Sequence, residues 1–299
     1  MLKPSKLSAA KTFPTMFKDS GTERGGRSFC LPLVNGILLA MSDFSFRPAP
    51  EKTIFIDLPD TEGLKIKGIL RGSFDQPLAV LIHGLPGSGN GPMQYLAAHH
   101  LSEHGIASLR LFLYDDDPNT RDLADCTLDV HASDFGTAVD YLRAQDVKQL
   151  FAVGHSYGGL TLLRSQASLD GAVLWDPTHG EVFSSPLGKK WEKEARVQSV
   201  DGFKLYLDGK GYIEPEAIMN EQATMGDTSD WAKKDYPLKI ITAGQGMLVE
   251  FGAKYAQAAQ EPKVHVIIPG ASHNFMNSDE DLLKLFDETY DWIKEFTNV

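Results

Sequence analysis

The sequence predicts an α/β fold with a mostly parallel central sheet flanked by helices. Short apolar runs, of which 78–82, 149–153 and 238–242 are examples, alternate with longer segments of helical pattern. An apolar run without polar alternation is typical of a strand that is buried on both faces. Parallel strands need long crossover connections, and helices usually supply them. A chain of 299 residues is long enough for one such domain with an inserted piece.

The predicted domain begins with a hairpin, because segments 53–58 and 64–70 have the composition of strands and 60–63 supplies a turn. Strands and helices then alternate along the chain. Their predicted order is strand 78–82, helix 92–104, strand 107–113 and helix 127–144. Pro92 suits the first turn of its helix, and Gly105 suits a C-terminal stop.

The second half of the chain continues the alternation around one long interruption. The predicted elements are strand 149–153, a helix after Ser156, strand 171–175, strand 238–242, helix 248–259, strand 264–268 and helix 279–296. Residues 177–236 break the pattern, are rich in Lys, Glu and Gly, and carry several aromatic residues. Within them, segments 203–207 and 211–213 predict a small hairpin turned at 208–210.

The pentapeptide Gly154-His155-Ser156-Tyr157-Gly158 follows one predicted strand and precedes a helical stretch. In that context the serine of a Gly-x-Ser-x-Gly sequence sits on a tight turn, which small flanking residues allow to close. Its hydroxyl then lies near the positive N-terminal end of the helix. A serine hydroxyl is a poor nucleophile at neutral pH unless a base lies within hydrogen-bond reach. Ser156 is therefore a candidate nucleophile that needs a partner base.

Two further motifs stand in a suggestive order. His83-Gly84-Leu85-Pro86-Gly87 follows strand 78–82, and Gly270-Ala271-Ser272-His273-Asn274-Phe275 follows strand 264–268. A nucleophile in mid-chain with its histidine last is the order of α/β-hydrolases. Residues 50–299 therefore resemble an α/β-hydrolase-fold serine hydrolase, and are most similar to bacterial carboxylesterases and serine-aminopeptidase-like hydrolases. The three motifs together are specific for the fold but not for a substrate.

His273 is the predicted general base. Of the nine histidines, it is the one in a loop beyond a late strand and before an apolar helix, where the resemblance implies the catalytic histidine. His155 is adjacent to the nucleophile, and the geometry of the turn is expected to point its side chain elsewhere.

The acid of the triad has two candidates. In most similar enzymes it follows the seventh strand, which here would place it at or near Met247, a residue that cannot serve. The fold also accepts an acid at the end of the sixth strand, where Asp176 stands before Pro177. Proline favours an extended exit from the strand. We favour Asp176, with Glu250, a weakened dyad or another acid as the alternatives.

The resemblance also implies an oxyanion hole and a cap. The two backbone N–H groups are expected from Tyr157 and Leu85. An insertion after the sixth strand forms a cap over the active site in α/β-hydrolases. The expected organisation is an N-terminal extension over 1–45, a hydrolase core over 46–176 and 237–299, and a cap insertion over 177–236.

Composition excludes several other classes of function. The formal net charge of −11 argues against nucleic acid or an anionic membrane as partner. Two cysteines, Cys30 and Cys126, make a disulfide framework or a cysteine metal site improbable. The glycines of 84–91 are not followed by the Lys-Ser or Lys-Thr pair of a nucleotide loop, and the acidic run 115–117 is interpreted as a solvated loop. No cofactor and no metal are expected.

The first 45 residues have a second interpretation. Arg24 and Arg27 precede an apolar stretch that ends at Met41, as in a signal peptide or anchor, but Pro32 interrupts it. No apolar run approaches the roughly 20 residues that span a bilayer. We expect a cytoplasmic protein without stable membrane insertion. The sequence leaves open whether it forms a homodimer.

The predicted function is hydrolysis of short to medium acyl esters through an acyl-enzyme, with a small-molecule ester as substrate. A peptidase, amidase or thioesterase using the same residues is the runner-up. A non-hydrolytic binding protein of the same fold is the alternative from another class, because the acid expected after the seventh strand is missing.

Overall fold

Eleven strands and six helices form the described part of this computed structural model. The strands are β1 Glu51–Asp57, β2 Lys65–Arg71, β3 Leu78–Ile82, β4 Ala107–Phe112, β5 Leu150–His155, β6 Gly171–Trp175, β7 Gln198–Val200, β8 Phe203–Tyr206, β9 Tyr212–Pro215, β10 Leu238–Ala243 and β11 Lys263–Ile268. The helices are α1 Pro92–Glu103, α2 Leu128–Ala144, α3 Tyr157–Arg164, α4 Glu216–Thr224, α5 Leu248–Ala258 and α6 Asp279–Glu295.

The structure describes residues 50–59, 61–182, 184–186, 189, 198–200, 203–206 and 212–297. All of them belong to one unit of the chain, Ser45–Val299. The extension predicted over 1–45, with Cys30, lies outside the described residues, and so does the whole turn predicted at 208–210.

Eight strands form one sheet in the order β1-β2-β4-β3-β5-β6-β10-β11. β2 runs antiparallel to both β1 and β4. From β4 to β11 every neighbouring pair is parallel. The prediction of a mostly parallel sheet that begins with a hairpin is confirmed.

Helices cover both faces of this sheet, because alternate residues of each central strand point to opposite sides. In β3, Leu78, Val80 and Ile82 pack into one hydrophobic cluster, together with residues of α2, α3 and α5. Ala79 and Leu81 pack into the other cluster, with α1 and α6. This double burial is the reason that the central strands are mostly apolar and do not alternate between apolar and polar residues.

The chain between β6 and β10 forms a separate three-stranded antiparallel sheet, β7-β8-β9, followed by α4. We call residues 177–236 the insertion. The hairpin of β8 and β9 was predicted, whereas β7 and α4 were not. β7 has three residues, too few to show a periodic pattern, and α4 turns only a narrow apolar face inward.

α4 packs closely on the core beside the candidate nucleophile. Ile218 is fully buried, in a cluster that includes Tyr157 and Leu160 of α3. The Glu221 carboxylate accepts a hydrogen bond of 2.7 Å from the backbone N–H of Leu128, at the start of α2. The position of α4 over the carboxyl end of the sheet is therefore fixed by both apolar and polar contacts. In the part of the chain that is described, no helix has the length and apolar character needed to cross a membrane.

Candidate active site

Ser156 occupies the sharp turn between β5 and α3. Its backbone has φ 53° and ψ −119°, a strained conformation for a residue with a side chain. The turn closes because its flanking residues lack side chains. A Cβ on Gly154 would lie 2.6 Å from the carbonyl oxygen of Gly158, and one on Gly158 would lie 2.6 Å from that of Ile82. The glycines of the motif are thus required by the approach of the backbone on both sides.

His273 lies in the loop after β11, with its imidazole between Ser156 and Asp176. Its Nε2 is 2.9 Å from Ser156 Oγ, and its Nδ1 is 2.6 Å from Asp176 Oδ2. The carboxylate can only accept, so Nδ1 carries the proton and Nε2 is left to accept from the serine hydroxyl. The predicted nucleophile Ser156, the predicted base His273 and the favoured acid Asp176 are therefore joined by one chain of hydrogen bonds.

Asp176 is held rigidly at the end of β6. Its side chain is 4% exposed, and its second carboxylate oxygen, Oδ1, accepts a 3.1 Å hydrogen bond from the backbone N–H of Ala243. Its own N–H donates to the carbonyl oxygen of Ile241 at 2.7 Å. Glu250, the alternative acid, lies exposed in the first turn of α5. Of the two candidates, Asp176 is the one that contacts His273.

His155 points away from the Ser156 hydroxyl, as expected, but it contacts the candidate base. Its Nε2–H donates to the backbone carbonyl of His273 at 2.9 Å, and the two rings lie 4.8 Å apart. The fold of the turn directs the His155 side chain under the His273 loop rather than toward Ser156 Oγ. Burial, together with the neighbouring His273, lowers the pKa of His155 to about 3. The neutral imidazole of His155 therefore holds the backbone of His273, the candidate base, in place by a hydrogen bond.

Thr178 is a residue that sequence reasoning missed. Its hydroxyl lies 3.2 Å from Ser156 Oγ, and its N–H donates to the Ser156 carbonyl at 3.1 Å. The Tyr255 hydroxyl in turn donates to the Thr178 carbonyl at 2.9 Å. While Ser156 donates to His273, the Thr178 hydroxyl can donate to Ser156 Oγ. Thr178 stands two residues after Asp176, and nothing in that local sequence indicates that its hydroxyl contacts Ser156.

The loop after β3 is fastened at both ends. At its start, His83 Nδ1–H donates to the carbonyl oxygen of Gly84 at 2.8 Å, and burial lowers the pKa of His83 to about 4. At its far end, the buried Arg110 donates to the Gly89 carbonyl at 3.1 Å. Arg110 also pairs with Glu51 at 2.8 Å. Leu85 is thereby held beside Ser156, at the wall of the same cavity.

A cavity of about 700 Å³ opens over Ser156 and His273. Tyr157, the first residue of α3, and Leu85 both line it. The N–H groups of a helix's first turn point out of the helix end, which suits them to a negative oxygen. Apolar side chains and carboxamides form much of the rest of the wall, together with Ser88, Thr178, His83 and His155. The apolar ones include Met93, Val182, Met247, Leu248 and Met276, and the carboxamides are Gln94, Gln222, Gln245 and Asn274.

One cluster in the described part of the chain has the composition of a metal site. His179, Glu181 and Asp227 bring nitrogen and carboxylate atoms within 4.8 Å of one another. Each already has a protein partner. His179 Nδ1 accepts from the Glu181 N–H at 3.1 Å, its Nε2 lies 3.2 Å from Asp227, and Glu181 pairs with Lys254. The cluster serves to tie the two ends of the insertion together.

A comparison of the sequence with known protein families agrees with the arrangement of Ser156, His273 and Asp176. The Alpha/beta hydrolase family matches residues 79–285, more than half of the chain. The chain belongs to this family. The match spans β3 to α6 and therefore includes Ser156, Asp176 and His273. No curated protein has a sequence that matches this α/β-hydrolase.

Solved structures similar to this α/β-hydrolase show the same fold. Est1E from Butyrivibrio proteoclasticus is 19% identical with a TM-score of 0.60, covering 82% of this chain and 98% of that one. Alpha/beta hydrolase domain-containing protein 10 from mouse is 16% identical with a TM-score of 0.61, covering 82% and 100%. XC6422 from Xanthomonas campestris, described as an a/b serine hydrolase without lid, is 15% identical with a TM-score of 0.54, covering 85% and 98%.

The buried histidines of this α/β-hydrolase predict sensitivity to acid. Burial lowers the pKa of His131 to about 3, as it does for His155, and that of His83 to about 4. An unfolded histidine titrates near 6.5. Below that pH the unfolded chain binds protons that the folded chain does not, so stability is fully present above about pH 6.5 and is lost as pH falls toward about 4.

We expect a lower melting temperature at about pH 5 than at about pH 7.5, and a smaller difference in His131→Leu. In the described part of the chain neither ring nitrogen of His131 has a hydrogen-bond partner, so the substitution removes a titrating group without breaking a bond. Calorimetry at both pH values makes the measurement. An unchanged pH dependence in His131→Leu would contradict the assignment of this histidine as buried and neutral.

Proposed function

We propose that this protein is a serine hydrolase that cleaves carboxylic esters through an acyl-enzyme. The observation that carries the proposal is the continuous chain of hydrogen bonds from Ser156 Oγ through His273 to Asp176, at 2.9 and 2.6 Å. A serine becomes nucleophilic when a base lies within such reach and a third group orients that base. The His273 side chain is 43% exposed, so it can exchange protons with substrate and water in the cavity.

In the proposed mechanism, Ser156 Oγ attacks the ester carbonyl while His273 Nε2 takes its proton. Asp176 holds the tautomer and stabilises the imidazolium that forms. The backbone N–H groups of Leu85 and Tyr157 receive the carbonyl oxygen as it becomes negative. The tetrahedral intermediate then collapses, His273 protonates the leaving alkoxide, and an acyl-Ser156 ester remains. Water, deprotonated by His273, hydrolyses that ester and regenerates the serine.

The insertion is proposed to act as a cap that sets the substrate range. It contributes Val182 and Gln222 to the wall of the cavity. A volume of about 700 Å³ is in the range of pockets for small organic ligands. Apolar walls discriminate weakly between acyl chains, by roughly 1–3 kcal/mol per methylene. We therefore propose short to medium acyl esters as substrates.

The same residues could serve a peptidase, an amidase or a thioesterase, and the fold also supports binding proteins. The binding-protein alternative rested on the missing acid after the seventh strand of the family, which corresponds to β10. The position of Asp176 against His273 weakens that argument, because an acid at the end of β6 replaces the missing one.

Two measurements on the purified protein test the proposed function. A fluorophosphonate probe is expected to label Ser156, and p-nitrophenyl esters of short to medium acyl chains are expected to be hydrolysed at higher kcat/KM than the matching aminoacyl anilides. Labelling with faster anilide cleavage would assign a peptidase or amidase instead. Absence of both labelling and turnover would favour the binding protein.

A further inference from the structure

Gln222 is a buried polar side chain in the wall of the cavity. It is 4% exposed, and its Oε1 has no hydrogen-bond partner among the described residues. A buried acceptor without a partner destabilises a protein by more than a typical hydrogen bond stabilises it, because the loss of its hydration is not compensated. The Gln222 side chain lines the cavity over Ser156, although its Oε1 atom is itself enclosed in the protein.

The position of this amide is fixed by its helix. Gln222 stands four residues after Ile218 on α4, so both point from the same face. Ile218 is fully buried against Tyr157 and Leu160, and Glu221 is bonded to the start of α2. The packing of α4 on the core therefore fixes the position of the Gln222 side chain. Recognition of a substrate group requires such a rigid position, which a loose loop would not supply.

The rest of the cavity wall indicates a neutral ligand. Among its described residues there is no Lys, Arg or Glu, and the carboxylate of Asp176 is already bonded to His273 and Ala243. A second buried carboxamide, Gln94 on α1, is 5% exposed and lines the same space. A charged substrate would be desolvated there without a counter-charge, at high cost.

We propose that Gln222 binds a hydroxyl group of the substrate, so that the preferred substrates are neutral hydroxylated esters rather than plain alkyl esters. The hydroxyl oxygen accepts from the amide NH₂ of Gln222, because the Oε1 atom is enclosed in the protein. The apolar side chains of the cavity contact the carbon skeleton. This inference rests on the proposed ester hydrolysis and narrows its substrate class.

The test compares matched esters that differ by one hydroxyl, placed in either half of the molecule. One pair is p-nitrophenyl butyrate against p-nitrophenyl 3-hydroxybutyrate, and the other is propyl butyrate against 3-hydroxypropyl butyrate. We expect the intact protein to favour the hydroxylated member of at least one pair by roughly tenfold in kcat/KM. Gln222→Met keeps the length of the side chain and its helix propensity but removes the amide.

In Gln222→Met the preference is expected to fall to about twofold or less, because the hydroxylated ester loses more kcat/KM than its non-hydroxylated partner does. Its melting temperature is expected to equal or exceed that of the intact protein, because an unpartnered buried polar atom has been removed. A structural role would lower the melting temperature and both rates together. Gln257→Met, the same change at an exposed position of α5, is expected to alter neither the preference nor the melting temperature.

The outcomes separate the inference from the proposed function. Turnover of all esters without preference, or a preference that survives Gln222→Met, overturns the role of Gln222 and leaves the ester hydrolase standing. Absence of both fluorophosphonate labelling and turnover overturns the hydrolase itself, and the substrate assignment falls with it.

Discussion

Ser156→Ala is expected to lose ester hydrolysis by roughly 10⁵-fold or more in kcat, and to lose fluorophosphonate labelling completely. The substitution removes the one oxygen that His273 Nε2 contacts at 2.9 Å. The fold is expected to persist, because alanine fits the same turn and the glycines at 154 and 158 still allow the backbone to close. The strain at a φ of 53° remains but does not increase.

The measurement is kcat on a p-nitrophenyl ester, together with the melting temperature. Ser102→Ala on α1 is the matched control, since it deletes the same hydroxyl far along the chain from the site, and is expected to keep full activity. Retention of a tenth or more of the activity in Ser156→Ala would remove the basis of the proposed mechanism.

Asp176→Asn is expected to lower kcat by roughly 10⁴-fold. The Ala243 N–H, which donates to Oδ1 at 3.1 Å, can be satisfied in the variant only by the amide oxygen. The amide NH₂ is then directed at His273 Nδ1, where the carboxylate stood at 2.6 Å. Two donors cannot face each other, so His273 moves its proton to Nε2 and can no longer accept from Ser156.

The control for this prediction is Glu250→Gln, which is expected to change kcat by less than about twofold, as is usual for exposed positions. Steady-state kinetics on the same ester compares the two variants. A greater loss in Glu250→Gln than in Asp176→Asn would show that the acid stands after β10 and that the observed contact with His273 is not the catalytic one.

The fold was predictable because its signals are local. A strand buried on both faces is mostly apolar, and β3 and β6 carry no polar side chain at all. The turn at Ser156 was predictable for a related reason, since only glycine fits where the backbones of β3 and α3 meet. In both cases the structure restricts which residues can occupy a few neighbouring positions, so the restriction can be recognised in a single sequence.

Elements without such a local requirement were missed. α4 is short, and its stability comes from packing Ile218 against residues of α3 more than fifty positions earlier in the chain. Thr178 and Gln222 have side chains that occur anywhere in a sequence. Their significance depends on what lies beside them, namely the Ser156 hydroxyl in the first case and a cavity without Lys, Arg or Glu in its described wall in the second.

The sequence by itself determined the α/β-hydrolase architecture, the nucleophile turn at Ser156 and the late loop of His273, because strand burial and tight turns restrict residue type at the position itself. It left the choice of acid open between Asp176 and Glu250. The tertiary structure decided which carboxylate contacts His273, since that depends on β6, β10 and β11 lying side by side and ending at one edge of the sheet. The same juxtaposition of distant segments places His155 under the His273 loop and the Gln222 amide in the cavity, through long-range contacts that no local pattern records.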